Sequence, residues 1–237
     1  MKILLTGGSG ALGSNIKKMI DCFAPSSDEL DITDEKRCLD VVNESGPDII
    51  IHCAAYTDVA KAEADRDRCW VVNVVGTQNM VRAANGARFI YISTHYVFDG
   101  ERGNYTEEDT PKPINYYSLT KLIGEAIVNQ YPNTLIIRTG FKKDGEWEYP
   151  KAFIDQWTCA DYASERAPDI VKASIMKDLT GIIHISGSKK SIYELARRRA
   201  PTVGQMSIKD VAVKLPGKIY LNSDKWTKLL KSKSAEK

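Results

Sequence analysis

The chain has 237 residues, 43% of them hydrophobic, and a net charge of +2. That length can bury one sizeable core, and so small a charge excess argues against nucleic acid or an anionic membrane as a partner. Five cysteines without a CxxC pair and three widely spaced histidines predict the reduced thiols of a cytoplasmic protein and no metal site. No apolar run approaches the ~20 residues of a membrane span, and the apolar run of "MKILLTGG" is too short for a signal peptide.

In chain order, "KILLT" (Lys2 to Thr6) predicts a short buried strand running into "GGSGALG" and then a helix through about Ile20. "FAP" predicts a very short second strand, and Asp34 an N-cap for a helix through about Ser45. "PDIIIHCAA" predicts a strand, Val59 to Ala84 a helical stretch, "RFIYIST" a strand and "NTLIIR" another, with a helix between the last two. Strands alternating with helices in this way predict an α/β fold, a Rossmann-like doubly wound parallel sheet. After Arg138 the pattern loosens: loop through "KKDGEWEYPK", a helix over about Asp161 to Asp178, the strand "GIIHISG", and a helix over Ile192 to Arg199. The expected division is a dinucleotide-binding domain over 1–140 and a small lobe over 141–237, with 161–186 a candidate to rejoin the main sheet.

The spacing of Gly7, Gly10 and Gly13 after a strand and at the opening of a helix points to a dinucleotide. Glycines there permit a tight turn and close approach of backbone to a pyrophosphate, while the helix N-terminus offers free N–H groups. A strict NAD site carries an acid at the end of the second strand. Here that region reads Ala24-Pro25-Ser26-Ser27. The reading therefore leans to NADP(H), with Ser26 and Ser27 donating to a 2′-phosphate and NAD(H) as the alternative. Asp31 and Ile32 are candidates to cover adenine, or simply belong to a loop before the next helix.

"NYYSLTK" (Asn115 to Lys121) raises the question of which tyrosine acts. The helix must begin after Pro111 and Pro113. Its apolar stripe is Leu119, Leu122, Ile123, Ala126 and Ile127; Tyr117 and Lys121 lie about 40° apart on the opposite side, whereas Tyr116 is about 140° from Lys121. Tyr117 and Lys121 are thus the pair and Tyr116 packs. A nearby ammonium is expected to lower the phenol's pKa, and such a phenol can protonate an oxygen that becomes an alkoxide as hydride arrives. "YIST" places the hydroxyls of Ser93 and Thr94 at a strand end, where open parallel sheets bind ligands.

With these residues in place, the chain resembles the extended short-chain dehydrogenase/reductases and, within them, the dTDP-4-dehydrorhamnose reductase family. The matching pieces are "GGSGALG", "ELDITD", "PDIIIHCAAYTDVAKAE", "VNVVGTQNM", "STHYVFDG", the run from Tyr105 to Glu125, and "IIRT". The resemblance implies that Thr94 holds the substrate carbonyl, Tyr117 donates the proton, and Lys121 tunes Tyr117 and holds the nicotinamide ribose. It implies that Ala11 and Leu12 join Gly7, Gly10 and Gly13 around the pyrophosphate, that Ala54, Ala55 and Tyr56 line the cofactor, and that Thr57 and Val59 border the sugar. The implied reaction is NAD(P)H reduction of a nucleoside-diphosphate 4-keto-6-deoxy sugar, and a homodimer is compatible with the family. The alternatives are a non-catalytic dinucleotide-binding regulatory subunit, or a nucleotide-sugar epimerase or dehydratase.

Four departures from the family pattern stand out. His95 replaces an Asp beside Thr94, and is either an altered substrate contact or a buried structural histidine. The "V-D-x-A-E" pattern loses its acid at Ala60. "RTSW" becomes Arg138-Thr139-Gly140-Phe141, with Phe141 at the sugar position in place of an indole. The C-terminal substrate lobe is expected to be shortened, because 141–153 is too brief for the helix usually found there.

Overall fold

Alternate residues along the first strands feed two separate apolar layers, and this decides the architecture. Ile3, Leu5, Ile49, Ile51, Ile90, Ile92, Leu135 and Ile137 belong to one core cluster; Leu4, Ile50, Phe89, Tyr91 and Ile136 belong to another on the opposite face. A strand buried on both faces must sit inside a sheet covered by helices on each side. The computed structural model describes residues 1–235 and shows that arrangement.

The elements are β1 (Ile3–Thr6), α1 (Gly13–Ile16), α2 (Glu35–Ser45), β2 (Ile49–His52), α3 (Val59–Ala64), α4 (Arg66–Trp70), α5 (Gly76–Ala83), β3 (Arg88–Thr94), α6 (Tyr116–Val128) and β4 (Thr134–Thr139). The C-terminal part adds β5 (Phe141–Lys142), β6 (Lys151–Phe153), β7 (Trp157–Thr158), β8 (Asp161–Tyr162), α7 (Ala163–Ile175), β9 (Gly181–His184), β10 (Lys190–Ser191), α8 (Ile192–Arg197), β11 (Gly204–Met206) and α9 (Asp224–Ala235). The main sheet runs β1-β2-β3-β4-β9, every pair parallel. Phe23 adds a single parallel bridge to Leu4 on the outer side of β1, which is all that forms of the short second strand. The "GIIHISG" strand does rejoin the main sheet, with Ile182 opposite Ile136.

Helix α7 packs Ala167, Ile170 and Ala173 on the first face of the sheet beside Leu12 and Ile16, while α2 and α5 pack Val41, Val42 and Met80 on the second. The expected Asp34 cap forms, accepting from the Arg37 N–H at the start of α2, and Asn115 accepts from the Ser118 N–H and starts α6. The predicted helix over 59–84 is broken into α3, α4 and α5, with a π-type turn over Val71–Val75. The Asn73 side chain projects from that turn, accepting from the Tyr56 N–H at 2.8 Å and donating to Tyr56 O and the Thr120 hydroxyl. It pins the chain leaving β2 against α6. The C-terminal lobe has no large sheet of its own. It is built from two-stranded ladders, β5 with β8, β6 with β11, and β7 with β10.

Candidate active site

Strands β1, β3 and β4 end on Thr6, Thr94 and Thr139, β2 runs on into Cys53, Ala54 and Ala55, and these residues line one cleft of about 820 Å³. Ligands of open parallel sheets bind at this edge. The glycine loop forms its floor. Gly7 has φ +68°, and a Cβ there would come within 2.7 Å of the Ala54 nitrogen; a Cβ on Gly13 would lie 2.2 Å from the Gly7 carbonyl oxygen. Only glycine closes this turn tightly enough to bring β1, α1 and the chain after β2 together. Ser9 to Leu12 of this turn line the cleft, a cradle suited to a pyrophosphate.

The structure brings most of the expected cofactor residues to this cleft: Gly7, Gly10, Ala11, Leu12 and Gly13 from the loop, Ser27, Asp31 and Ile32 at one end, Ala54 and Ala55 after β2, and Lys121 from α6. Two expected residues do not line it. Ser26 turns away and donates its hydroxyl to Glu29 at 3.0 Å, because that carboxylate also accepts the Ser26 N–H and closes a local turn. Tyr56 packs instead into the aromatic cluster around Tyr117, Tyr116 and Tyr96. The neighbour of Ser27 in the cleft wall is Asp28, a residue that no motif in the sequence singled out.

The reacting end holds Thr94, Tyr117 and Lys121. Thr94 ends β3 and its hydroxyl accepts the Tyr96 N–H at 3.1 Å, which fixes its rotamer. The Thr94 hydroxyl faces the Tyr117 phenol closely enough to act on its pKa. Tyr117 and Lys121 share a face of α6, as the helical phase predicts, and that face is the buried one. Lys121 is 3% exposed, whereas Leu119 on the apolar stripe is 40% exposed and Ala126 is also exposed. The polar face can be buried because its groups are answered. Glu125 accepts from Arg138 at 2.7 Å and from Ser93, and Thr120 accepts from Asn73. Gly124 provides room for the Tyr91 phenol, which a Cβ would meet at 2.1 Å.

The electrostatics differ from the expectation that Lys121 lowers the phenol's pKa. Burial pushes the Tyr117 phenol above its ordinary value, and the facing Thr94 hydroxyl only partly opposes this. The Lys121 ammonium sits 4.0 Å from the centre of the Tyr91 ring. Burial lowers its pKa to about 8, while Glu125 acts in the other direction. Desolvation of the phenolate is the largest influence on it.

The expected substrate-side residues Thr57, Val59, His95 and Phe141 also border the cleft. His95 does so with both ring nitrogens already occupied. Nδ1 meets the Thr139 carbonyl at 2.9 Å and Nε2 the Thr158 hydroxyl at 3.2 Å. Burial lowers its pKa to about 4, so it is a neutral, 6%-exposed side chain tying β3, β4 and β7 together. The ring occupies space that exists because residue 140 is glycine: a Cβ there would lie 2.2 Å from Cε1. Two departures from the family pattern thus occupy one contact. Phe141 leans on the core cluster of Leu12 and Ile16. Sequence reasoning missed Arg68, Lys142 and Lys143, which also line the cleft; they sit in loop-like or helical stretches without a motif. Among the described residues no group of three or more metal-ligating side chains assembles, and no helix is long and apolar enough to cross a membrane.

Comparison with known proteins agrees with this geometry. The dTDP-4-dehydrorhamnose reductase of Mycobacterium tuberculosis is 35% identical over 157 residues, 61% of this chain and 51% of that protein. The chain thus spans about half the length of the first curated relatives it matches. The crystal structure of dTDP-4-dehydrorhamnose reductase from Bacillus anthracis in complex with NADP superposes with a TM-score of 0.85 at 30% identity, covering 95% of this chain and 90% of that one. That from Clostridium acetobutylicum superposes with a TM-score of 0.87 at 29% identity, covering 98% and 93%. Structural likeness therefore continues through the C-terminal lobe, beyond the strongest sequence match. The RmlD substrate binding domain pattern matches residues 1–146, more than half of the chain, and the chain belongs to that family.

Proposed function

We propose that the chain is an NADPH-dependent reductase of a nucleoside-diphosphate 4-keto-6-deoxy sugar, of the dTDP-4-dehydrorhamnose kind. The observation that carries this reading is the Thr94–Tyr117 hydroxyl pair beside Lys121, in one cleft with the glycine loop. The cradle fits a dinucleotide, since side chains larger than hydrogen at Gly7 and Gly13 would close it. The glycine-loop N–H groups would hold the pyrophosphate, Asp31 and Ile32 the adenosine end, and Lys121 the nicotinamide ribose. Ser27 is the hydroxyl available to a 2′-phosphate. The relative from Bacillus anthracis was crystallised with NADP.

When bound, the reduced cofactor supplies the hydride. Thr94 orients the substrate carbonyl by donating a hydrogen bond to its oxygen. Tyr117 gives its proton to that oxygen as the carbonyl becomes an alcohol, and the phenolate left behind is reprotonated from water. The phenol is protonated at neutral pH before transfer, and because burial makes it a weaker acid, its role as donor rests on its position beside Thr94 in the cleft and not on its acidity. The Lys121 ammonium offsets the phenolate charge in that step. A buried hydroxyl pair of this kind costs little to reorganise at the moment of reaction.

The test is loss of NADPH absorbance with dTDP-4-keto-6-deoxyhexose as substrate. Tyr117→Phe is expected to lower kcat by about 10²–10⁴-fold while leaving NADPH affinity unchanged. Full activity in that variant would refute the assigned proton donor. A chain that bound NADPH but reduced no nucleoside-diphosphate keto-sugar would be better read as a regulatory subunit. That second reading draws on 35% identity over 141 residues to methionine adenosyltransferase 2 subunit beta of Rattus norvegicus, covering 54% of this chain and 42% of that protein.

A further inference from the structure

The cleft contains a cation that the reduction chemistry does not use. Lys142 is the second residue of β5, held in register by pairing with Tyr162 of β8. Phe141 packs against the core cluster that holds Leu12 and Ile16, and the Lys142 ammonium lies 5.9 Å from the centre of the Trp147 ring. The residue is only partly accessible and lines the same cleft as Thr94, Tyr117, Thr139 and Gly140. Its neighbour Lys143 pairs with Glu148 at 3.2 Å. No carboxylate among the described residues stands within 4.0 Å of the Lys142 ammonium. His95 is near enough to feel this charge, yet it is neutral and its two nitrogens are taken. Burial alone displaces the Lys142 pKa, downward, with no acid opposing it. A desolvated ammonium without a counter-charge is costly in the fold and tolerated mainly where an incoming anion answers it.

We propose that Lys142 is the anion-recognition residue of this cleft, its ammonium seating a carboxylate or phosphate oxygen of the sugar nucleotide close to the reacting carbonyl. This rests on the reductase reading above and sharpens it. The substrate must bring negative charge to the Thr94–Tyr117 end, either as the diphosphate folded over the 6-deoxy sugar or, with a uronic acid in place of that 6-deoxy sugar, as a carboxylate on the sugar ring. The acids of the cleft, Asp28 and Asp31, belong to its other, adenosine end, so the polarity of the cavity agrees with this placement.

The experiment titrates the full chain calorimetrically with thymidine, dTDP, dTDP-glucose and dTDP-glucuronate, in the wild type, Lys142→Met and Lys142→Arg, with NADPH binding as the control. Lys142→Met should keep NADPH affinity and melt at or above the wild-type temperature, because an unpaired buried charge is removed. If the diphosphate is the partner, dTDP and both sugar nucleotides weaken about tenfold or more while thymidine does not. If a sugar carboxylate is the partner, only dTDP-glucuronate weakens by that factor. Lys142→Arg should retain most of the affinity in either case. Unchanged affinities for all four ligands in Lys142→Met, or a variant that melts lower and loses NADPH, would overturn the inference and leave the reductase reading standing. A wild type that bound NADPH but none of the nucleotides would overturn both.

Discussion

The contact between His95 and Gly140 allows a quantitative test of how tightly this side of the cleft is packed. Gly140 is not among the glycines with positive φ, so alanine is conformationally acceptable there and would by itself gain about 0.4–1 kcal/mol from a stiffer unfolded chain. Sterically it is not acceptable. The new methyl would lie 2.2 Å from His95 Cε1 and 2.4 Å from Nδ1. The ring can retreat only by giving up its hydrogen bonds to the Thr139 carbonyl and the Thr158 hydroxyl. Overpacking costs about 1–3 kcal/mol, and each hydrogen bond lost about 1 kcal/mol. Gly140→Ala should therefore destabilise by about 2–4 kcal/mol, read as a lower urea midpoint by tryptophan fluorescence with an unchanged slope. In a His95→Ala background the methyl has space, and the same change should cost less than about 1 kcal/mol, giving a coupling of about 2 kcal/mol. An equal cost in both backgrounds, or a Gly140→Ala chain as stable as the wild type, would refute the claim that these two residues share one site.

Acid should unfold the protein through its histidines. His52, His95 and His184 are buried neutral, with pKa values lowered by burial to about 3, 4 and 3. Since the folded values lie below the ordinary 6.5, their contribution is complete above that pH and is lost as pH falls from about 6.5 toward 4, at about 1.4 kcal/mol per pH unit for each. A urea midpoint that stays level between about pH 7 and pH 5 would contradict this. Arg138→Met should cost about 3–5 kcal/mol, because it strands the buried Glu125 carboxylate, whereas Arg138→Met with Glu125→Leu should cost much less. Thermal melts of the two variants decide it, and similar losses in both would show that the ion pair is not what holds α6 to β4.

Much of this protein is set by local pattern. The strand cores, the glycine turn, the Asp34 and Asn115 caps and the phase that pairs Tyr117 with Lys121 follow from residue type and spacing, since each depends on atoms a few positions apart. Tertiary structure decided what depends on distant partners. It turned the apolar stripe of α6 outward and its polar face inward, because Ser93, Asn73 and Arg138 from other elements answer the polar groups of that face. It raised rather than lowered the Tyr117 pKa, since burial is a property of everything packed around a side chain. It returned "GIIHISG" to the main sheet, removed Ser26 from the cleft, and tied up both nitrogens of His95. Lys142 reads in sequence as one more loop lysine; only the pairing of β5 with β8, strands whose partners lie 20 residues apart, aims it into a cavity.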